Sequence, residues 1–220
     1  MRYISHLDLL RTFTRALRRG GVPLALSQGF NPQPRLIFAA PLAVGITGKN
    51  EYLDLYLSKY WEKGVLEEVL REQLPEGLEI NAIIPADPLA DPLSSLVEAA
   101  LYQALSPAFS ELCDHLPRDI LKAEKLLVIR TGKKERRLNI RPFIYRLWLE
   151  KNHNKTRLLM LLATGSKGGA RPEEVLSFFP TGKEGIKLFR ENIFIRKGKT
   201  LLTPMGDTYG DCLQKLRLSW

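Results

Sequence analysis

The stretch PADPLADPLSS at residues 85–95 puts proline behind aspartate twice, at Asp87-Pro88 and Asp91-Pro92. The residue before a proline is pushed out of the helical region, and proline has no amide hydrogen to give a sheet. The chain of 220 residues must break here, into pieces each long enough to bury a core. We assign a first unit to residues 1–88, a linker to 89–97 and a second unit to 98–220.

Upstream of the break, Ser5 with Asp8 three residues on marks a helix start. Leu9, Leu10, Phe13, Ala16 and Leu17 follow at helical spacing until Gly20-Gly21, so a helix is predicted from about residue 5 to 19. Strands are predicted at about 22–27, 35–42 and 51–57, then a helix at WEKGVLEEVLREQL (61–74) and a strand at LEINAII (78–84). Ferredoxin-like βαββαβ units follow this order after their first strand, for which only Met1–Ile4 remain. Downstream the theme repeats: strand AALYQAL, a helix from about 108 to 123, strand KLLVIR, a long strand RLNIRPFIYRLWLE, strand TRLLMLLAT and a helix opening at Pro172. The expected fold class is α+β, two tandem ferredoxin-like units, the first either lacking its N-terminal strand or completing its sheet differently.

Two cysteines, Cys113 and Cys212, cannot build a disulfide framework, a zinc knuckle or an iron–sulfur triplet, and both read as small hydrophobes. The longest purely apolar run, Leu158–Ala163, is too short to cross a bilayer, and Asp8 interrupts any signal-peptide core. The protein reads as cytoplasmic, with no membrane partner. Its net charge of +9 is unevenly spread. Residues 1–90 hold ten Lys/Arg and ten Asp/Glu, leaving 23 of the 33 cations and 14 of the 24 anions to the second half. That surplus points to a polyanion.

On the first helix Arg11, Arg15 and Arg18 recur along one face with Arg19 beside them, either a phosphate-facing stripe or a solvated face neutralised by Glu62, Glu67, Glu68 and Glu72. His6 is a buried-edge residue of the first turn or, functionally, a general base near a ribose hydroxyl. In SQGFNPQPR, Gly29 permits a positive φ while Pro32 and Pro34 stiffen the chain around Asn31 and Gln33. The turn is a display element or a stiff connector whose Phe30 plugs the core. In GKKERRLNIRPFIYR, Lys133, Lys134, Arg136 and Arg137 precede a strand on which Arg137, Asn139, Arg141, Phe143 and Tyr145 would share a face. Cations with aromatics on a sheet suit single-stranded nucleic acid. Pro142 argues for an edge or bulge. The glycine loop before Pro172 has no Walker or dinucleotide spacing, and Glu173 and Glu174 already occupy the helix start.

The stretches RYISHLDLLRTFTRALRRGGVPLALSQGFNPQPRLIFAAPLAVG, NIRPFI and GGARPEEVL together resemble an uncharacterised bacterial family of radical-SAM-associated proteins, found alone or fused to the C-terminal side of a cobalamin-binding radical SAM enzyme. The motifs fall on Ser5, His6, Asp8, Arg11, Gly29, Phe30, Asn31, Pro32, Pro34, Arg141, Pro142, Arg171 and Pro172. Gln33 stands where the family usually has histidine, and the relatives begin several residues earlier with a strand. The resemblance implies an accessory module with no cofactor of its own, serving a radical SAM enzyme in trans. Joined to the charge surplus, it gives the expected function: a non-catalytic RNA-binding module for tRNA or rRNA. The alternatives are a metal-independent endoribonuclease using His6, and a protein-interaction scaffold docking its partner through residues 27–35. CRISPR repeat-RNA endoribonucleases share the tandem plan, a likeness of fold alone.

Overall fold

The structure, a computed structural model, describes residues 2–132, 135–152, 155–165, 168–182 and 185–212. It is an α+β protein of two compact units, one made of residues 1–45 and 52–94, the other of 46–51 and 95–220. The segment around the prolines is not wholly irregular: α3 (Leu93–Leu96) and the first residue of β4 (Val97–Leu105) lie in it.

In the first unit α1 (His6–Arg19) is capped by Ser5, whose hydroxyl accepts the Asp8 amide at 3.2 Å and donates to the Asp8 carboxylate at 2.7 Å. Its buried face carries Phe13, Ala16 and Leu17. β1 (Leu36–Phe38) pairs antiparallel with β3 (Leu53–Leu55) so that Leu36 faces Leu55 and Phe38 faces Leu53. α2 (Lys63–Gln73) adds Leu66 and Leu70 to the same core. Each fully buried side chain of this kind contributes roughly 1.5–3 kcal/mol. The strand expected at 22–27 is reduced to isolated bridges, Leu24 to Leu57 and Leu26 to Pro34. The strand expected at 78–84 does not form: Leu78, Ile80 and Ile83 pack against the core through side chains, and the segment joins no ladder. Apolar alternation there reflects one-sided burial rather than sheet pairing.

The second unit is built on one sheet of order β10-β9-β4-β8-β7, where β7 is Ile144–Asn152, β8 Lys155–Ala163, β9 Lys187–Lys197 and β10 Thr200–Leu202. The pairs along it are antiparallel. α4 (Leu116–Lys122) lies between β4 and β7 in sequence, and α5 (Pro172–Leu176) between β8 and β9. The apolar runs of β4 and β8 are buried on both faces, Ala100, Leu158, Met160 and Leu162 on one side and Ala99, Leu159 and Leu161 on the other. Tyr209 and Cys212 cover part of the latter face, with Tyr209 edge-on to Phe194 at 5.7 Å. Cys113 is exposed, so only Cys212 behaves as a core hydrophobe.

The remaining strand of this sheet comes from far upstream. β2 (Ile46–Gly48) pairs parallel with β9, Ile46 opposite Leu188. Its segment is fixed by charge: Arg190 on β9 is 1% exposed, and its guanidinium binds Glu51 in a two-pronged pair, with Nε donating to Oε1 at 2.8 Å. Burial alone would lower the Arg190 pKa, but the bonds and charge of Glu51 outweigh it and hold the guanidinium protonated. Lys49 pairs with the buried Glu191 at 3.1 Å, and the Asn50 amide donates to the Glu191 carbonyl.

The long strand expected from Arg137 to Glu150 is two strands. β6 (Arg136–Asn139) pairs with β5 (Leu127–Arg130) as a separate hairpin, a 3₁₀ turn follows at Arg141–Phe143, and β7 begins only at Ile144. Pro142 lacks the amide a ladder needs and its fixed φ suits the turn. The helix expected at 108–123 is likewise split, into a 3₁₀ turn at Pro107–Glu111 and α4.

Breaking a buried ion pair from one side typically costs about 3–5 kcal/mol. Glu51→Gln, at a carboxylate with side-chain exposure of 24%, is expected to cost about 3 kcal/mol by denaturant unfolding. An effect below about 0.5 kcal/mol, the usual range of a surface substitution, contradicts the role assigned to the pair.

Candidate nucleic-acid interface

Arg11, Arg15 and Arg18 are exposed on α1. Among the described residues Glu62, Glu67, Glu68 and Glu72 form no ion pair with them. Glu62 caps α2 by accepting the Gly64 and Val65 amides at 3.0 and 2.9 Å, and Glu67 sits 3.7 Å from Lys63. Among the described residues the only ion pair on the stripe is Arg11 with Asp8, at 3.1 Å between half-exposed or more exposed side chains. The Ser5 hydroxyl, then Arg11, holds the Asp8 carboxyl below its ordinary value. Arg15 and Arg18 offer their guanidiniums to solvent. Arg19 does not belong with them: Nε donates to Gln73 Oε1 at 3.0 Å and a terminal nitrogen to the Gln73 carbonyl at 2.6 Å, satisfying the end of α2.

His6 is half-buried, its ring edge-on to Phe38 at 5.4 Å. Phe38 also meets Phe13 edge-on at 5.7 Å, so the imidazole extends an aromatic cluster of the first core. Among the described residues it makes no hydrogen bond or ion pair that would mark it as a general base.

The loop of residues 27–34 is a closed hairpin. The Ser27 amide donates to the Gln33 carbonyl at 2.8 Å, and the Gln33 amide donates to the Ser27 hydroxyl at 3.0 Å. Inside it the Gln33 side chain donates to Asn31 Oδ1 at 3.1 Å, and Gly29 takes φ +125°, a region an L residue rarely enters. Phe30 does not plug the core: it is 113% exposed. Asn31 and Pro32 are exposed beside it, and Pro34 is half-buried at the loop's base.

The second-half cations divide. Arg136 and Arg137 are exposed on the β5–β6 hairpin; Lys133 and Lys134 lie outside the described residues. Arg141 faces inward instead of joining a binding face. Its Nε donates to the Leu121 carbonyl in the last turn of α4 at 2.8 Å, and a terminal nitrogen donates to the Ile144 carbonyl at 3.2 Å. Asn139 Oδ1 accepts the amides of Leu126 and Arg141. Phe143 is half-buried, and Tyr145 is 39% exposed. The expected common face is therefore lost, because the 3₁₀ turn rotates Arg141 and Phe143 away from the strand period.

The GGARPEEVL stretch is structural in the same sense. A Cβ on Gly169 would lie 2.4 Å from the Ala163 carbonyl, so backbone packs directly on backbone there. Arg130 grips Glu174 with two nitrogens, at 2.6 and 2.8 Å, and the Gly169 carbonyl at 2.7 Å. Glu174 also accepts the Arg171 amide at 2.9 Å, and Pro172 occupies the first turn of α5. Sequence alone singles out none of Arg35, Arg130 and Arg190, each of which opens, closes or interrupts an apolar run. The one trace of Arg35 is its place directly after Pro34, at the start of the strand predicted for 35–42; the residue it pairs with, Tyr56, is far along the chain.

Burial raises the Glu174 carboxyl, but the Arg130 bonds and the Arg171 amide outweigh it and leave it below the ordinary glutamate value. A depressed folded-state pKa stabilises above the unfolded value and is lost as pH falls through the folded one. Wild type is therefore expected to exceed Glu174→Gln by about 2 kcal/mol at neutral pH. The gap should close below the ordinary glutamate range, as followed by denaturant unfolding across acid pH; a gap independent of pH contradicts it.

No curated protein matches the chain. A family model described as an uncharacterised protein conserved in bacteria, DUF2344, matches residues 1–172, a span that takes in α1, the closed hairpin at 27–34 and the Arg141 and Arg171 motifs. The chain belongs to that family.

Proposed function

We propose that the protein is a non-catalytic RNA-binding module, with tRNA or rRNA as its ligand. The observation that carries the reading is the α1 stripe: Arg11, Arg15 and Arg18 are exposed, and among the described residues the one ion pair on it is Arg11 with Asp8, whose carboxylate also feels Arg15. Successive guanidiniums are spaced by about one helical turn, a rise of about 4.5–6 Å. That is close to the separation of phosphates along an extended strand, and guanidinium meets phosphate in a bidentate fork. Arg136 and Arg137 on the β5–β6 hairpin are a second exposed cationic element.

The architecture is compatible with that use. β4–α4–β7 and β8–α5–β9 interleave to give the order β9-β4-β8-β7, which supports reading the second unit as ferredoxin-like; we read the first as a reduced version of the same plan. Work beside a radical SAM enzyme in trans rests on the sequence resemblance alone.

Filter binding of a tRNA transcript across a salt series is expected to give a steep negative slope of log K against log salt. Changing Arg11, Arg15 and Arg18 together to Gln should flatten it by roughly 0.7–0.9 for each phosphate no longer neutralised. A slope the triple variant shares with wild type, or no binding at micromolar protein, removes the reading.

A further inference from the structure

The hairpin at residues 27–34 is longer than its topology needs. Leu26 and Pro34 are already bridged across the ladder, and a two-residue turn suffices to close an antiparallel pair. Instead the chain spends residues 27–33 on a loop braced by Ser27 and Gln33. Pro32, with its fixed φ, and the Ser27–Gln33 closure limit its freedom, so less conformational entropy is left to lose on binding. At its tip stands Phe30, 113% exposed, forfeiting the burial that ordinarily places phenylalanine in a core.

No charged side chain occurs from Ser27 to Pro34. The first charge after the tip is Arg35, whose amide donates to the Ala25 carbonyl at the loop's base. Its guanidinium lies over the Tyr56 ring at 3.9 Å, and Tyr56 donates its amide to the Arg35 carbonyl across the ladder. The Arg35 side chain is thus held on the ring, and it has no carboxylate partner among the described residues. An uncharged, rigid tip with one bare aromatic face, and an uncompensated planar cation at its base, are the two parts single-stranded nucleic acid requires: a surface for a base and a charge for the adjoining phosphate. A paired duplex keeps its base faces stacked inside, save the outer faces of its two terminal pairs, and so has few to offer Phe30.

We propose that this hairpin is a single-strand-reading site in which Phe30 stacks on an unpaired RNA base and Arg35, seated on Tyr56, takes a neighbouring phosphate. The proposal rests on the nucleic-acid reading above and narrows it to unpaired RNA.

Fluorescence anisotropy tests it with a fluorescein-labelled oligouridine of about twelve nucleotides, long enough to cover one single-strand site, and a blunt RNA duplex of the same length, on the full chain. Phe30→Ala is expected to weaken the single strand by about five- to 150-fold, the range of one lost base–aromatic stack, with an unchanged salt slope and an unchanged melting temperature. Phe30→Trp should keep affinity and show indole quenching on binding. Arg35→Gln should flatten the slope by about 0.7. The duplex should not distinguish wild type from Phe30→Ala. If wild type binds RNA and Phe30→Ala binds the single strand equally well, this proposal falls and the nucleic-acid reading stands. If wild type binds neither probe, both fall. Equal weakening of strand and duplex by Phe30→Ala also overturns base stacking. So does a salt-resistant protein partner lost in Phe30→Ala while RNA affinity is unchanged, an outcome that makes Phe30 a protein-docking tip.

Discussion

A guanidinium cannot shed its charge when it is buried, so Arg190 in the middle of β9 dictates what must lie beside it. The carboxylate it needs belongs to Glu51, and Glu51 lies between β1 and β3 in the sequence. The chain therefore leaves the first unit after Gly45, lays Ile46–Gly48 along β9 and returns at Tyr52 to pair β3 with β1. One consequence is that the second unit takes in residues 46–51, upstream of the Asp-Pro break. Residues 95–220 by themselves would keep Arg190 and lose Glu51.

The motifs sort by where their side chains end. Arg141 and Asn139 satisfy backbone groups around α4 and the 3₁₀ turn, Arg130 and Glu174 tie the β5–β6 hairpin to the start of α5, and Arg19 finishes α2. These cations are consumed by carbonyls and carboxylates. Arg11, Arg15, Arg18, Arg35 and Phe30 are left facing water, and all five lie in the first unit, while residues 1–90 as a whole are balanced in formal charge. Arg136 and Arg137 of the second unit are exposed as well, so displayed cations occur in both units and the charge surplus alone does not single out one of them.

Much of the fold is legible in the sequence, for local reasons. Ser5 with Asp8, the spacing of Phe13, Ala16 and Leu17, and the Gly20-Gly21 stop define α1 closely, because capping and amphipathic burial act within a few residues. β4 and β8 are readable as apolar runs. β9 is not, since Arg190, Glu191 and Asn192 interrupt its apolar pattern, and their burial depends on Glu51, Lys49 and Cys212 at distant positions. The expectation of a strand at 78–84 fails because a one-sided apolar pattern does not reveal whether a ladder partner exists. At the candidate site, composition marks the cations but not which of them the backbone absorbs. Arg137 and Arg141 share one chemistry and stand four positions apart, yet one is exposed and the other holds the end of α4. From sequence the turn is an open choice between a display element for Asn31 and Gln33 and a stiff connector plugged by Phe30, and in the structure Phe30 is exposed.

The central claim is that RNA meets the first unit at α1 and the hairpin tip, rather than the motif arginines of the second. Photocrosslinking with an RNA carrying 4-thiouridine, followed by mass-spectrometric mapping of the adducts, tests this most directly. Adducts should concentrate in peptides containing α1 and Phe30, and be absent from those containing Arg141 or Arg171. Adducts confined to the Arg141 and Arg171 peptides, or none at any position, would contradict the account.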